Sequence, residues 1–386
     1  MVQSNDFNDY GGIILSSRSG VISSVIIVIL IFSAVGGFIF LTNQYVPSRI
    51  AVVVIDPGYG DRSFIDQAVE GLYETEVVVD YDLIVADDVD DLQSTINGIS
   101  VEGNHDLIIV IGTQAGLATA VDTVAANHVY QKFGFIGGFV NRDNVASATF
   151  ENDQAAFLAG ALAAHLAVDN VNRTGIVGII GSVSTDPTVI ELIDGFIQGL
   201  NYANQTLGNV SLLPIQYVGS YNDSTTADVY ARNMWNPNLG NASVIFAPVR
   251  ASIMGIRSAM EYANVTWFCN ITNREPFVIG AEADQRYLGN PNIAIRSGPS
   301  WIVTSVVPRS DLAAVRIINA TLWDRFIGAL DYGGEYASTI GGNLYNNGTI
   351  LADMVEYQEN EWVTDAMINM TIDYRRAIIN GTIILS

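Results

Sequence analysis

Cysteine is almost absent from this chain of 386 residues. Cys269 stands alone, so no internal disulfide can form and no cysteine cluster offers an iron–sulfur or structural zinc site. Histidine is nearly as scarce: His105, His128 and His165 fall on separate predicted elements and make no metal-ligand set. Lys132 is the only lysine, which excludes a P-loop lysine after a glycine-rich turn. Charge of both signs is sparse at 15 %, and positive charge sparser still, with 17 Lys+Arg against 40 Asp+Glu and a formal net charge of -23. Such a field repels a phosphate backbone and excludes a nucleic-acid binder built on a basic groove. Disorder is excluded as well, because 49 % of the residues are hydrophobic. The length corresponds to two or three domains.

A reactive constellation is also missing, so the chain does not read as an enzyme and no cofactor is implied. Gly58-Tyr59-Gly60 follows a strand, but the G-x-G-x-x-G pattern is not completed. Ser63 lies near Asp61 and Asp66 without a nucleophile elbow or a recognisable base. Asp87, Asp88, Asp90 and Asp91 open a helix, where the dipole already favours acids. No closing carboxylate turns that run into a calcium loop, so no metal site is expected.

What is present begins with Val21–Leu41, an uncharged apolar stretch of 21 residues after a leader at 1–20. A helix of that length spans about 30 Å, the thickness of a bilayer core. It reads as a membrane anchor. Ser17–Gly20 ahead of an unbroken apolar run also looks like an archaeal pilin-type signal, which opens a second class of function: a structural cell-surface or filament-forming glycoprotein whose copies assemble through this helix. Orientation comes from the Asn-x-Ser/Thr sequons at Asn172, Asn204, Asn209, Asn222, Asn241, Asn264, Asn270, Asn319, Asn347, Asn369 and Asn380. All fall after residue 171, and their density argues for a glycosylated, extracytoplasmic body on the cell membrane.

From residue 50 short apolar runs alternate with helical periodicity. Ile50–Ile55 is continuously apolar, as a parallel strand covered on both faces must be, and it breaks at Asp56-Pro57-Gly58. Ser63 is placed to cap a helix running to about Tyr73. Asp82–Ala86, Asp106–Ile111, Lys132–Phe139 and Val145–Phe150 follow as strands, and Asp153–Val168 as an alanine-rich helix. A second set comprises strands near Thr174–Gly181, Leu212–Tyr217, Ser243–Ala247, Thr266–Phe268 and Phe277–Gly280, with helices Pro187–Ala203, Thr225–Trp235 and Ile253–Tyr262 between them. Cys269 reads as part of a buried strand. Residues 331–350 read as a surface hairpin or linker, and a helix within Tyr357–Asn380 precedes a short strand Thr382–Leu385. Repeats of this kind predict an α/β protein with two doubly wound sheets.

Several strand-end segments carry a more specific pattern. DPGYGDRSFIDQAVEGL (56–72), NVASATFENDQAAFLAGALAA (144–164), GIVGIIGSVSTDPTVIELIDGFIQGL (175–200), YVGSYND (217–223), IGAEADQ (279–285) and INGTI (379–383) occur in one order and spacing. In these the chain resembles the basic-membrane-protein family of solute-binding proteins, which includes purine-nucleoside receptors of ABC importers. The resemblance implies two Rossmann-like lobes of the type I periplasmic-binding kind, with a small-molecule solute enclosed in the cleft between them. It places the first lobe at 50–168 plus about 280–325 and the second at 170–278 plus about 326–386. The expected partners are a small polar or aromatic solute, possible in this family as a purine nucleoside, an ABC permease and the membrane. The candidate ligand-binding residues are Asp56, Phe64, Thr113, Arg250, Glu282 and Asp284. Phe64 can stack on a flat base; Arg250 is either a recruiter of an anionic ligand or a solvated arginine. The chain departs from the family pattern at Ile65 (asparagine), Gly137 (aspartate), Glu282 (aspartate), Pro308 (lysine) and Arg250 (a small residue).

Overall fold

Continuously apolar strands need cover on both faces, and the chain supplies it twice. The computed structural model describes residues 48–75, 79–290, 292–293, 300–334, 341–354 and 362–385. The leader and the apolar helix expected at 1–41 lie outside the described residues. Among the described residues no helix is long and apolar enough to cross a membrane.

The first sheet holds β1 (Ser48–Ile55), β2 (Val79–Ala86), β3 (Leu107–Ile111), β4 (Phe133–Ile136) and β5 (Val145–Ala148) in the order β2-β1-β3-β4-β5. All its pairings are parallel. Side chains alternate across β1. Ile50, Val52 and Val54 join the core under α1 (Phe64–Tyr73), while Ala51, Val53 and Ile55 join the core under α2 (Val89–Glu102) and α3 (Leu117–Asn127).

The second sheet contains β6 (Ile176–Gly181), β7 (Ser211–Leu212), β8 (Gln216–Tyr217), β9 (Val244–Phe246), β10 (Phe277–Ala281), β11 (Ile302–Pro308) and β12 (Thr349–Leu351). Its order is β12-β11-β10-β9-β6-β7, with β8 also on β6, and β12 is its antiparallel member. The helices α4 (Asn152–Val168), α5 (Pro187–Leu207), α6 (Ser224–Trp235), α7 (Ile253–Ala263) and α9 (Asp365–Ile379) serve this sheet, while α8 (Ser310–Leu322) returns to pack on α1 and β4.

Two segments therefore sit across the expected lobe boundaries. Helix α4 packs on α5, β6 and β11, and β11 lies inside the second sheet, although 50–168 and 280–325 were both expected in the first lobe. The physical reason lies in α4 itself. It is apolar nearly all round and needs a partner on every side, and α5 provides one at very short range. A Cβ on Gly199 would sit 1.9 Å from the Phe157 carbonyl oxygen, and one on Gly160 1.9 Å from that of Phe196. Only glycine lets the two backbones approach this closely.

Four local expectations are corrected. Thr266–Phe268 is not a strand; α7 widens into a π-helical turn over Asn264–Phe268, and Cys269 beyond it is exposed. Leu212–Tyr217 is split at Pro214 into the short strands β7 and β8. Of residues 331–350, the described ones are largely buried, because Gly333 and Gly342 pack backbone to backbone beside Thr149 and Phe150. Thr382–Leu385 forms no strand; only Ile383 is buried there, on the second core.

Candidate functional site

In open α/β sheets the loops at the carboxyl ends of the strands are free to form a site, and here those of both sheets meet. The loop after β1 is organised by Asp61, whose carboxylate accepts from the backbone N–H groups of Ser63 (2.9 Å), Ile65 (3.1 Å) and Asp66 (3.0 Å). Asp61 thus serves the start of α1 in the way expected of Ser63, whose own hydroxyl caps nothing. That hydroxyl reaches the other sheet instead, donating to the Ala281 carbonyl (3.3 Å) and to Glu282 Oε2 (3.4 Å). Burial raises the Asp61 pKa to about 6, against the pull of its three N–H donors and the Arg250 charge.

Arg250, after β9, lies at the centre of this junction and is 2 % exposed. It donates through Nε to Glu282 (3.2 and 3.1 Å) and through Nη2 to Glu282 Oε1 (2.9 Å), Asp186 Oδ2 (3.3 Å) and Thr113 Oγ1 (2.6 Å). Its guanidinium also lies over the Tyr221 ring at 4.4 Å, and the Tyr221 hydroxyl donates to Asp186 Oδ2 at 2.7 Å. Burial opposes the arginine's charge, but the Glu282 and Asp186 carboxylates outweigh it and hold the pKa above the ordinary value. Burial, followed by the Asp186 carboxylate, pushes the Tyr221 hydroxyl up. The reading of Arg250 as a solvated arginine is corrected: it is buried, with its charge met by two carboxylates. Two members of the pair hold left-handed backbone angles, φ 49° at Arg250 and 66° at Glu282. Such conformations persist where surrounding bonds over-determine them and cluster at functional sites.

Beside this network is a cavity of ≈ 340 Å³, lined from the first sheet by Phe64, Phe135, Phe150, Thr113, Gly137 and Thr149 among others, and from the second by Asn152, Pro187, Thr188 and Glu191. Phe64 and Phe150 meet edge to face with centroids 6.0 Å apart. Gly137 has φ +114°, and a Cβ there would fall 2.1 Å from the Gly112 carbonyl oxygen. A side chain at this position is therefore excluded by the loop's own backbone.

The polar lining is uneven. Thr113 is engaged by Arg250 and Asp186, and Thr149 donates to Asp331. Gln114 donates to the Asp56 carbonyl (2.6 Å) and accepts from Thr113 N–H (3.1 Å). Glu191 accepts from the backbone N–H of Asn152 (2.8 Å), and burial, then the nearby Asp153 charge, raises its pKa to about 7. The Asn152 side chain supports Glu191 as well, yet its Oδ1 is buried with no partner.

Of the six residues expected at the site, Phe64 and Thr113 line the cavity and Arg250 and Glu282 form the adjoining ion cluster. Asp56 is exposed at the loop start. Asp284 faces a separate hollow of ≈ 420 Å³ between α1 and the loop after β10, where it is paired with Arg286 (2.6 Å). Sequence reasoning missed Asp186, Tyr221, Asn152 and Glu191. Asn152 opens α4 after β5, and Glu191 lies one turn into α5 after β6; a position near the start of a helix that follows a strand is the one signal that could have marked them.

The sequence profile of a family described as "ABC transporter substrate-binding protein PnrA-like" matches residues 49–333. Among curated proteins, the chain is 23 % identical over 295 residues to the "ABC transporter nucleoside-binding protein BmpA" of Lactococcus lactis, covering 72 % of this chain and 76 % of that one. It is 23 % identical to the "CD4+ T-cell-stimulating antigen" of Listeria innocua, covering 86 % and 87 %. Among solved structures, ABC transporter system solute-binding proteins from Aeropyrum pernix K1 superpose with a TM-score of 0.73 at 22 % identity, covering 88 % of this chain and 94 % of the other. That likeness is one of fold: two α/β lobes of the periplasmic-binding type.

Proposed function

The chain belongs to the PnrA-like family of ABC transporter substrate-binding proteins, and on that premise we propose that it is a membrane-tethered, extracytoplasmic receptor that captures a small ring-bearing solute between its lobes and presents it to an importer permease. The family is one of non-catalytic transport proteins, in accord with the lack of a reactive constellation in the sequence. The observation that carries the reading is the cavity of ≈ 340 Å³ between the strand ends of the two sheets, walled by Phe64, Phe135 and Phe150. Aromatic walls with few polar groups suit a flat solute, and a volume in this range suits a small one. Tethering rests on the uncharged stretch Val21–Leu41, and the outward location on the sequons, none of whose asparagines is fully buried.

Purine nucleosides are the first class to assay, since the L. lactis relative is described as nucleoside-binding. The test is equilibrium titration of the full chain in detergent against nucleosides, sugars, amino acids and amines. Saturable binding to one class, weakened by Phe150→Leu, is the expected result. A folded chain that binds none of these classes refutes the receptor reading.

A further inference from the structure

The cavity offers acceptors and no cation. None of its lining residues is lysine, arginine or histidine, and Arg250 next to it is bound to two carboxylates. The cavity's acceptors include the Glu191 carboxylate, which already takes the Asn152 backbone N–H, and the Asn152 amide oxygen. Among the described residues Glu191 has no ion pair, while Asn152, 4 % exposed, carries a partnerless Oδ1. Because the Asn152 side chain supports Glu191 by hydrogen bonding, its NH2 faces that carboxylate and its acceptor oxygen is the atom without a partner. A buried acceptor without a donor costs free energy until a ligand satisfies it. Asp153, within reach of Glu191, adds further negative charge. In the same lining stands the half-buried ring of Phe150, whose face attracts cations, backed from the core by Phe64 and Phe135, which are 1 % and 2 % exposed.

We propose that Glu191 and Asn152 make this cavity selective for a ring-bearing organic cation, a protonated amine or amidine on a flat ring, over its neutral and anionic counterparts. The inference rests on the receptor reading and narrows it. The ring packs against Phe150, the charged donor group bonds the Glu191 carboxylate, and a second N–H of the same group reaches Asn152 Oδ1. An anion in the same place meets the Glu191 carboxylate and no cationic side chain. Specificity is thus set by a mismatch against anions as much as by attraction to cations.

Benzamidine, benzamide and benzoate share one ring and differ in charge, so calorimetric titration of the full chain with each at about pH 8.5, where Glu191 is ionised, separates the terms. A hydrogen bond to a charged group exceeds a neutral one by enough to give benzamidine about tenfold tighter binding than benzamide, and benzoate should show no saturation. Glu191→Gln keeps an acceptor for the Asn152 N–H and should bring benzamidine to within about threefold of benzamide. Equal binding of benzamidine and benzamide, saturation by benzoate, or a cation preference that survives Glu191→Gln overturns the proposal. The wild-type ranking decides it even if the variant fails to fold. A chain that binds none of the three probes but saturates with a nucleoside or sugar refutes the charge selection and leaves the receptor reading intact. A chain that binds nothing refutes both.

Discussion

Arg250→Met removes one cation from a site that holds two fully buried carboxylates. The side chains of Arg250, Asp186 and Glu282 are 2 %, 0 % and 0 % exposed. Methionine keeps most of the volume, so the loss is electrostatic rather than a cavity. Breaking a buried ion cluster by removing one partner costs about 3–5 kcal/mol, because the remaining charge is left desolvated. The variant should therefore unfold at lower guanidinium concentration by that amount at pH 7.5. Adding Glu282→Leu tells this cause from simple loss of packing, since it removes one stranded charge and should recover part of the loss. A deficit below about 1 kcal/mol, or one that Glu282→Leu does not reduce, refutes the claim that Arg250 neutralises the junction.

Glu191, raised to about 7, takes up its proton in the folded chain before the unfolded chain does; it therefore weakens the fold as pH rises from about 5 to 8, and Glu191→Gln should gain roughly 2 kcal/mol over wild type at pH 8 and little at pH 5, as read by denaturant titration at both. Gly137→Asp, which restores the family's aspartate, should instead cost about 3 kcal/mol, since its Cβ would meet the Gly112 carbonyl at 2.1 Å with φ +114°; a thermal scan showing an unchanged midpoint contradicts this. Glycopeptide mass spectrometry should find sugar at the exposed Asn209, Asn222 and Asn369. Asn204 should be bare, because its amide both donates to the Val210 carbonyl (3.0 Å) and accepts from the Val210 N–H (2.9 Å).

The sheets were legible where one physical signal dominated. Ile50–Ile55 and Leu107–Ile111 are apolar at every position, and only a strand covered on both faces satisfies that pattern over so short a run. The errors fall where two signals compete. The triplet Thr266–Phe268 has strand-forming residues, but it continues a helix whose preceding turns are already packed, and extending that helix by one wide turn buries Phe268. Around residues 331–350 glycine and asparagine usually mark exposed turns; here Asn343 and Asn346 are buried, bonded to the loop's own backbone. Composition reports the conformations a segment permits, not what lies against it.

The site was legible only in part, because its polar chemistry is non-local. Phe64 could be placed from the loop that precedes it. The fate of Arg250 could not, since an isolated arginine is ordinarily exposed, and the carboxylates that allow its burial lie 64 and 32 residues away in sequence. These partners do more than neutralise it. Asp186 and Glu282 belong to the second sheet, as Arg250 does, whereas Thr113 and Ser63 come from the first, Thr113 bonding Arg250 (2.6 Å) and Asp186 (3.4 Å) and Ser63 bonding Glu282 (3.4 Å) and the Ala281 carbonyl (3.3 Å). The ion pairs thus stay within one lobe, and the bonds that must break for the lobes to part include those of the two hydroxyls and that of the Gln285 amide to the Arg62 carbonyl (2.9 Å). A hydrogen bond to a charged group contributes about 1.5–3 kcal/mol and the longer contact less. That is enough to hold the closed arrangement and small enough for solute exchange to reverse. A receptor must release what it binds, and placing the buried ion pairs inside a lobe rather than across the cleft is the arrangement that permits it.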